Sequence, residues 1–600
     1  MTTNEKIAQL RAALLAEGCE AYLIPTGDPH ASEYLPLHYN AREYFSGFTG
    51  ENSILVVTGQ KSALWVDGRF FVQGEKQLAG TEIALMKMGE PGVPTTEEYC
   101  AAALGEGQVL GLCGLTADTK MVRGLQKALA PKGASVKSLN LEDALWVEGR
   151  PAKPATPAWL LPTEFAGASA GEKLAAYRAK LTENDCTAAL VAKLDNVAWL
   201  LNLRALDINC TPFAMAYCYV TMDDATLFIN ATRLADEAKA ELAAQGVTLA
   251  DYDSIVDAMA SSPAAQTVLA ESGATNFAVM GALEANPALT VKDLADPIVL
   301  MKGVKSEIEM QHIRNAHAKD GVAMVRFEME LEARLASGEI LHETDIDDIL
   351  HKYRSAEEHF ITESFDTIAA YGGNAAMMHY HAEKDPAKGS NAEILRKGFL
   401  LVDSGASYLD GTTDITRTYP MGELTDDECN FYTWTLQSHI EMARAIFLDT
   451  CTGKMLDMLA RQPLWSHLIN YRCGTGHGVG FVGNVHEGPQ SLSPRGEAVF
   501  VPGMTVTNEP GVYESDLVGI RIENEMLCHA KETNQYGNFL AFETFTYTPI
   551  DTKAVKVEMM TDAQLAWLND FHATVYRTLS PRLSDAECAW LAAKTAPLTK

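Results

Sequence analysis

Residues 399–417 read FLLVDSGASYLDGTTDITR, and this stretch decides the fold that we expect for the chain. The apolar run at 399–402 has the length and character of a buried strand, and it leads directly into Asp403. A Ser-Gly-Ala turn and a second strand-like piece then lead to Asp414, 11 residues later. A hairpin would therefore bring the two carboxylates face to face.

Two carboxylates that meet in an apolar setting repel each other, so either one of them stays protonated or a cation lies between them. The simpler interpretation is that Asp403 and Asp414 cap turns, which is common in stretches rich in aspartate and glycine. This stretch alone supports the two interpretations equally. Other donors in the same region of the sequence decide between them.

A glycine-rich segment, CGTGHGVGFVGNVHEGP at 473–489, places glycines on both sides of His477. Glycines allow a backbone to approach a ligand closely, and they leave room around the imidazole. A lone histidine is more often a hydrogen-bonded structural residue than a metal ligand. The segment therefore supports a metal site only in combination with other donors.

Two glutamates follow in segments that carry turn or strand signals. Glu509 precedes a Pro-Gly pair in VTNEPGVYE, and the proline limits it to an extended conformation. In GIRIENE, alternation places Glu523 and Arg521 on one face of a strand and the two isoleucines on the other. The separation of 14 residues allows a hairpin that pairs the two glutamates.

Together these segments supply a hard, oxygen-rich donor set: Asp403, Asp414, His477, Glu509 and Glu523. Such a set selects manganese, cobalt, magnesium or iron, or zinc with some tolerance, whereas a thiolate site would need cysteine. Four carboxylates exceed what one ion needs, but they suit two neighbouring ions that share a bridging carboxylate. Such a pair lowers the pKa of a shared water, so the set predicts hydrolysis of a peptide or an ester.

The chain has 600 residues, which is too long for one core and predicts about three or four domains. Its formal charge of −31 argues against nucleic acid as a partner, because phosphate binding needs a basic face. We see no signal-peptide pattern, and no apolar run reaches the roughly 18 residues of a membrane span. The 11 cysteines are scattered and form no CxxC pair, which is typical of reduced thiols in a cytoplasmic protein.

The alternation of helical and strand patterns predicts an α/β (α+β) protein. A segment with four prolines is interpreted as a linker, and similar orders of elements on its two sides indicate a weak internal duplication. Two capping boxes, at 306–309 and 425–428, predict the starts of long helices further on. The predicted segments are a first domain at 1–150, a proline-rich linker at 151–167, a second domain at 168–303 and a third domain with a C-terminal helical extension at 304–600.

Four motifs match a known family: VDSG…DGTTDITRT, GTGHGVG…NVHEGP, NEPGVYE and GIRIEN resemble the pita-bread metallopeptidases of family M24. Further stretches, among them IPTGDPHASEYL, WVDGRFF, AWLLNLR and PIDTK, are similar to the three-domain Xaa-Pro aminopeptidases, so the resemblance covers nearly the whole chain. It implies two creatinase-N-like α/β domains followed by a pita-bread catalytic domain. It also implies removal of an N-terminal residue that precedes proline, and a homodimer formed through the catalytic domain.

The resemblance implies a role for each of the five donors. They would hold two divalent ions, expected to be manganese, with cobalt or zinc as alternatives. Asp414 and Glu523 would bridge the ions. Asp403 would complete one site, and His477 with Glu509 would complete the other. Glu509 would also carry the proton of the bridging water to the leaving proline nitrogen.

Four further residues around the centre are implied by the same resemblance. His486 resembles the imidazole that donates to the scissile carbonyl as it becomes an oxyanion, and His379 resembles the one beside the proline-binding part of the cleft. Arg521 would hold the carboxylates in place. Where the family usually reads HGTGH, this chain has Cys473, so a thiol replaces a histidine on the substrate side.

Two alternatives stay open at this point. Prolidases, which cleave dipeptides, are the nearest rival within the family, whereas methionine aminopeptidases lack the two long N-terminal domains. A pita-bread domain retained only as a binding module belongs to another class of function, but such proteins usually lose ligands, and all five are present here. We expect peptide substrates with proline in the second position and neither a membrane nor a nucleic-acid partner.

Overall fold

The structure of the chain, a computed structural model, describes residues 1–385 and 389–600. The chain divides into two compact units. The amino-terminal unit comprises Met1–Leu160, Ala168–Asn209 and Phe213–Ile298, and the carboxy-terminal unit comprises Leu161–Gly167, Cys210–Pro212 and Val299–Lys600. The division predicted at 150, 167 and 303 stays a prediction.

The amino-terminal unit contains two six-stranded sheets with the orders β4-β3-β2-β1-β5-β6 and β12-β11-β10-β8-β13-β14, and β7 pairs with β9. The strands of the first sheet are β1 (Ala21–Pro25), β2 (Ser53–Thr58), β3 (Ser62–Val66), β4 (Ile83–Lys87), β5 (Val109–Leu112) and β6 (Ser135–Ser138). The later strands are β7 (Trp159–Leu160), β8 (Ala188–Val191), β9 (Leu203–Arg204), β10 (Tyr217–Thr221), β11 (Ala225–Phe228), β12 (Val247–Ala250), β13 (Gln266–Leu269) and β14 (Leu289–Lys292).

The two six-stranded sheets have the same arrangement. In the first, β1 runs antiparallel to β2 and parallel to β5. In the second, β8 runs antiparallel to β10 and parallel to β13. The central strands β1 and β8 are buried along their whole lengths, as expected for strands covered on both faces. The internal duplication indicated by the sequence is confirmed by this shared topology.

The first 13 helices of the chain are α1 (Thr3–Ala16), α2 (Ala41–Ser46), α3 (Phe71–Gln77), α4 (Thr96–Ala103), α5 (Thr119–Leu129), α6 (Glu142–Leu145), α7 (Thr163–Ala166), α8 (Ala170–Glu183), α9 (Leu194–Leu201), α10 (Asp236–Ala244), α11 (Ile255–Ser261), α12 (Phe277–Ala285) and α13 (Ile298–Gly303). Helix α7 belongs to the carboxy-terminal unit, as does α13 after its first residue, and the others belong to the amino-terminal unit. The proline-rich segment contains β7 and the single turn of α7, so it has regular structure despite its prolines.

The carboxy-terminal unit surrounds several small antiparallel sheets with long helices. The helices are α14 (Glu307–Ala336), α15 (Glu343–Arg354), α16 (Asp426–Ala443), α17 (Gly453–Trp465), α18 (Asp562–Leu579) and α19 (Asp585–Lys594). Both predicted capping boxes are present, since Ser306 with Glu309 caps α14 and Thr425 with Glu428 caps α16. None of the helices in the described part of the chain is both long and apolar enough to cross a membrane.

The strands of this unit form sheets with the orders β15-β18-β19, β16-β17-β20 and β21-β28-β27-β24, together with the pairs β22-β23 and β25-β26. They are β15 (Phe360–Glu363), β16 (Ile368–Tyr371), β17 (Phe399–Ser404), β18 (Ala406–Tyr408), β19 (Gly411–Thr412), β20 (Ile415–Pro420), β21 (Ile446–Leu448), β22 (Gly476–His477), β23 (Ser491–Leu492), β24 (Thr505–Asn508), β25 (Gly511–Glu514), β26 (Val518–Arg521), β27 (Asn524–Asn534) and β28 (Gly537–Thr544). The mixture of helices and strands confirms the predicted α/β (α+β) class.

One core cluster fixes the strands that carry the aspartates. Buried apolar side chains of α14 and α15, such as Phe327 and Ile349, pack against Leu400, Val402 and Ile415 of β17 and β20. Close packing of this kind has low compressibility, so it holds the strands in fixed positions relative to the helices. The two helices therefore serve as a rigid support for the functional residues.

Candidate metal centre

The predicted hairpin around Asp403 and Asp414 is present, with a register that the sequence did not indicate. β17 and β20 are antiparallel, but the residue opposite Asp403 is Thr416, and Asp414 lies just before β20. A Cβ atom at Gly405 would lie 1.9 Å from Thr413 O, so only glycine allows this close approach of the two chains. The aspartates are thus offset along the hairpin instead of directly opposed.

The two glutamates face each other across a second hairpin, as predicted. Asn508 pairs with Asn524 in the β24-β27 ladder, and Gly511 pairs with Arg521 in the β25-β26 ladder. Glu509 and Glu523 therefore lie in the gap between the two ladders. Glu523 was expected inside a strand, but it lies in the two-residue break between β26 and β27. Its backbone therefore belongs neither to the β25-β26 ladder nor to the β24-β27 ladder.

His477 ends the short strand β22, which is pressed against β24. A Cβ atom at Gly476 would lie 1.9 Å from Thr507 O, which explains one of the glycines beside the histidine. The ring nitrogen Nδ1 lies 3.0 Å from the carbonyl oxygen of Gly478, and a carbonyl can only accept, so Nδ1 carries the proton. Nε2 is then left as a lone-pair donor that faces the acidic residues.

The predicted donors converge on one place. Ligand atoms of Asp414, His477 and Glu523 all lie within 4.8 Å of one another. His477 Nε2 lies 3.5 Å from Asp414 Oδ2 and 3.5 Å from Glu509 Oε1. Asp403 lies close enough for its charge to raise the pKa of Asp414 and of Glu523. Each of the five donors thus approaches at least one of the others.

The electrostatics of this cluster fit divalent cations. Burial and the charge of Glu523 raise the pKa of Asp414 well above its usual value, and burial also raises the pKa of Glu509 to about 7. Burial lowers the pKa of His477, which keeps the imidazole neutral. Asp403 Oδ1 is buried with no hydrogen-bond partner in the described part of the chain. Buried anions and a neutral imidazole suit the hard divalent ions expected from the donor set.

Arg521 lies on one side of the carboxylates, and its predicted role of holding them in place stays a prediction. Its guanidinium is buried, with Nη2 donating to Asp403 Oδ2 and Nη1 donating to the Tyr513 hydroxyl at 2.9 Å. Nε donates to Thr416 Oγ1 at 3.1 Å. One positive charge therefore contacts Asp403 directly and reaches Glu523 through the Thr416 hydroxyl.

Two threonines contribute contacts that the sequence reasoning missed. Thr416 Oγ1 donates to Glu523 Oε2 at 2.6 Å. Thr507 Oγ1 accepts from the backbone N–H of His477 at 3.1 Å and lies 3.3 Å from Glu509 Oε1. Each threonine is two positions from a predicted ligand, on the same face of an extended chain, so alternation could have found them.

The residues predicted on the substrate side lie around the same cluster. The rings of His477 and His486 are 4.2 Å apart between centroids, in an edge-to-face arrangement. His379 is half-buried, and its charge contributes to the lowered pKa of His477. Cys473 packs at the edge of an apolar cluster that includes Leu464 and Val512, and burial raises the pKa of its thiol to about 12. Their roles in binding or catalysis stay predictions.

Comparison with known families covers most of the chain. Metallopeptidase family M24 matches residues 311–530, and the C-terminal region of that family matches 538–598. Two creatinase/prolidase N-terminal domains match residues 6–144 and 149–309. The amino-terminal sheets and the carboxy-terminal unit are therefore both accounted for by the same group of proteins.

Individual relatives match over the full length. Aminopeptidase P2 of Arabidopsis thaliana is 36% identical, over all of this chain and 89% of its own. A probable Xaa-Pro aminopeptidase P of Coprinopsis cinerea is also 36% identical, over 99% of this chain and 98% of its own. The crystal structure of X-prolyl aminopeptidase from Caenorhabditis elegans, described as a cytosolic enzyme with a di-nuclear active site, is 33% identical and superposes over both whole chains with a TM-score of 0.92.

A prolidase from Pyrococcus horikoshii shares the fold over 63% of this chain and 99% of its own, with a TM-score of 0.50 and 24% identity. The full-length relatives match the whole of this chain, including both amino-terminal sheets. The prolidase is shorter, since nearly all of its own length matches only 63% of this chain. The chain therefore belongs to metallopeptidase family M24, alongside the full-length Xaa-Pro aminopeptidases.

Proposed function

We propose that the chain is an Xaa-Pro aminopeptidase, a dinuclear metal-dependent hydrolase that removes the N-terminal residue from peptides with proline in the second position. The convergence of Asp414, His477 and Glu523, with ligand atoms within 4.8 Å of one another, is the observation that carries the proposal. Full-length similarity to relatives named Xaa-Pro aminopeptidase supports the choice of substrate class. The activity follows from a donor set that suits hydrolysis and a chain that matches these relatives from end to end.

Five residues would hold the two divalent ions: Asp403, Asp414, His477, Glu509 and Glu523. In this proposal, Asp414 and Glu523 would be shared by the two ions. Asp403 would complete one site, while His477 and Glu509 would complete the other. When bound, the ions lower the pKa of a shared water and polarise the scissile carbonyl. Manganese is the proposed metal, with cobalt or zinc as alternatives, because carboxylates and one imidazole are hard to borderline donors.

The remaining steps belong to side chains of the protein. Glu509 keeps 20% of its side chain exposed, so its carboxylate can take up a proton and pass it to the leaving proline nitrogen. His486 would donate to the scissile carbonyl oxygen as negative charge develops there. His379 would line the proline side, with Cys473 beside it on the substrate side. Arg521 would keep Asp403 in place through its hydrogen bond.

A substrate panel tests this proposal. The purified protein, supplied with manganese, is offered an Arg-Pro-Pro peptide, an Ala-Pro dipeptide and a Met-Ala peptide. We expect release of arginine from the first peptide and faster turnover of it than of the dipeptide. Preference for the dipeptide would indicate a prolidase, and cleavage of the Met-Ala peptide would indicate a methionine aminopeptidase. Absence of any chelator-sensitive cleavage, with no bound metal, would indicate a binding module.

A homodimer and a cytoplasmic location are part of the same proposal. Helix α17 carries exposed apolar side chains at spacings of three, four and seven residues, and an exposed leucine follows it: Met455, Met458, Leu459, Trp465 and Leu468. Exposed apolar surface of this kind suits a second copy of the chain. All 11 cysteines are free thiols, which suits a reducing compartment.

Light scattering coupled to gel filtration measures the proposed association. We expect the mass of a dimer for the unmodified chain and the mass of a monomer for the Met458→Glu, Leu468→Asp double variant. A charge on this face removes apolar contact area and leaves the buried side of α17 untouched. An unmodified chain that elutes as a monomer at micromolar concentration would contradict the homodimer.

A further inference from the structure

A buried ion pair lies behind the metal centre and has no part in the proposed chemistry. Asp320 on α14 and Arg354 at the end of α15 are both fully buried. Arg354 Nε lies 2.7 Å from Asp320 Oδ1, and Nη2 lies 3.1 Å from Oδ2, so the contact is bidentate. Removing two charges from water is costly, and an apolar pair would fill the same space at lower cost. The polar groups around the pair indicate what it does.

The pair contacts both strands of the aspartate hairpin. Arg354 Nη2 donates to the carbonyl oxygen of Ser404 at 3.3 Å. Thr413 Oγ1 donates to Asp320 Oδ2 at 3.0 Å. Ser404 directly follows Asp403, and Thr413 directly precedes Asp414. Each member of the pair thus fixes a residue adjacent to one of the two predicted aspartate ligands.

The Thr413 hydroxyl also joins the two strands to each other. It accepts a hydrogen bond from the backbone N–H of Ala406 at 3.0 Å while its single proton goes to Asp320. The Thr413 backbone N–H donates in turn to the Ala406 carbonyl at 2.8 Å. The hairpin is therefore closed by hydrogen bonds at the level of Thr413 and tied to α14 and α15 through the ion pair.

We propose that Asp320 and Arg354 are positioning residues that set the separation of Asp403 and Asp414, and thereby the affinity of the centre for its metal ions. The inference rests on the proposed metal site. Neither residue touches substrate or ion. Supporting partners of this kind orient metal ligands, and losing one typically costs roughly 10–100-fold in metal affinity. Thr413 transmits the position of Asp320 to the hairpin.

A titration of metal-free protein with Mn(II) alone tests this inference, with free Mn(II) counted by electron paramagnetic resonance. Thr413→Val removes the hydroxyl and keeps the shape of the side chain, so we expect binding of at least one ion to weaken by roughly 10–100-fold. Thr413→Ser keeps the hydroxyl and should restore the affinity. Arg354→Lys keeps the charge and loses the fork that reaches Ser404, and it should weaken binding as well.

Thr435→Val is the matched control. Thr435 is also fully buried in the carboxy-terminal unit, but its hydroxyl donates only to the backbone of α16, at Phe431 O. We expect its Mn(II) affinity to equal that of the unmodified chain. Unfolding temperatures of all variants show whether a change in affinity is a loss of fold, and Thr413→Ser separates the hydroxyl from the volume of the side chain.

The outcomes separate this inference from the proposed function. If Thr413→Val and Arg354→Lys both bind two ions with unchanged affinity, the positioning role is overturned while the metal site stands. If the unmodified chain binds no Mn(II), the metal site is overturned, and the inference with it. Weaker binding by Thr413→Val, restored by Thr413→Ser and absent in Thr435→Val, supports the inference.

Discussion

The Glu523 carboxylate is the most deeply buried of the five donors. Its residue is 1% exposed, and its Oε2 accepts a hydrogen bond from Thr416 at 2.6 Å. Burial and the charge of Glu509 raise its pKa well above the usual value. A carboxylate in this environment is stable as an anion only beside positive charge. A cation between Glu523 and its acidic neighbours satisfies that requirement.

Glu523→Gln tests the bridging role directly. The substitution keeps the shape and one oxygen atom but removes the charge that a bridging ligand needs. We expect turnover of Xaa-Pro peptides to fall by more than the roughly 10–100-fold that loss of an outer partner costs. The metal-free variant should unfold at a temperature no lower than that of the unmodified chain, because the substitution removes a buried ionisable group. Steady-state kinetics and thermal unfolding measure the two effects. A variant with near-normal turnover would show that Glu523 does not bridge.

Cys473→His introduces the residue that the resemblance to family M24 leads us to expect at this position. Burial raises the pKa of the Cys473 thiol, so in the absence of metal the thiol carries no charge at neutral pH. We expect the histidine to change kcat or KM for Xaa-Pro peptides while the metal content stays the same. Elemental analysis beside the kinetics separates the two. Metal loss in this variant would place Cys473 next to the ions instead of the substrate.

At the scale of elements, helix α17 holds the chain segment that leads to His477. Arg461 donates from Nη1 to Tyr471 O and from Nη2 to Cys473 O, each at 2.7 Å. Asp457 binds Arg461 Nε and also accepts from Thr475 Oγ1, each at 2.6 Å. Because Asp457, Arg461 and Thr475 are buried, the segment before His477 is fixed by hydrogen bonds as well as by packing.

Asp457→Ala should therefore destabilise the protein strongly. Removing one partner of a buried ion pair leaves the other charge uncompensated and typically costs about 3–5 kcal/mol. Denaturant unfolding measures the change in the free energy of unfolding. Glu497→Ala is the control, since Glu497 pairs at 3.8 Å with Lys454 on the exposed side of the same helix. An exposed pair contributes about 0–1 kcal/mol, so equal effects of the two substitutions would contradict the account.

The sequence predicted those features of the elements that depend on local patterns. The capping boxes at 306–309 and 425–428 begin helices because side chain and backbone satisfy each other within three residues. The hairpin that pairs the two glutamates followed from spacing and a Pro-Gly turn. The pairing of Asp403 with Thr416 could not be predicted from spacing, because register depends on packing against distant strands.

Contacts between segments that are distant in the sequence could not be predicted from it either. Thr413 reaches Asp320 across 93 positions, and Arg521 reaches Asp403 across 118. Periodicity reports only which face of an element is apolar, and it does not identify the polar residue that an opposite element presents. The five donors could be proposed from sequence because their residue types and motifs are distinctive, whereas the residues that contact them are ordinary threonines and one buried ion pair.

At the scale of the whole molecule, the metal ions should couple to stability. In the metal-free protein, burial raises the pKa of Asp414 and of Glu523 and raises the pKa of Glu509 to about 7. These groups bind protons more tightly in the folded chain than in the unfolded chain. The stability that this proton binding contributes is fully present below the pKa values that these groups have in the unfolded chain. It is lost as the pH rises through the pKa values that they have in the folded chain.

The unfolding temperature of chelator-treated protein should therefore decrease as the pH rises from about 5 to about 8, because Glu509 loses its proton over this range. Protein loaded with manganese should show a smaller fall, because the ions compensate the charges and bind only the folded chain. Thermal unfolding in both states across this range measures the difference. If the unfolding temperature decreased equally with pH in the chelator-treated and the manganese-loaded protein, the assignment of the acidic cluster as a metal site would be contradicted. The rest of the chain carries the same charges in both states, so it cannot cause a difference between them.

Anomalous diffraction from a manganese-loaded crystal, recorded on both sides of the metal absorption edge, can show whether two ions bind among the proposed ligands. These are Asp403, Asp414, His477, Glu509 and Glu523. We expect two peaks roughly 3.5–4 Å apart, enclosed by these five side chains, with Asp414 and Glu523 next to both. A single peak, or two peaks that lie outside this cluster, would contradict the proposed two-ion site.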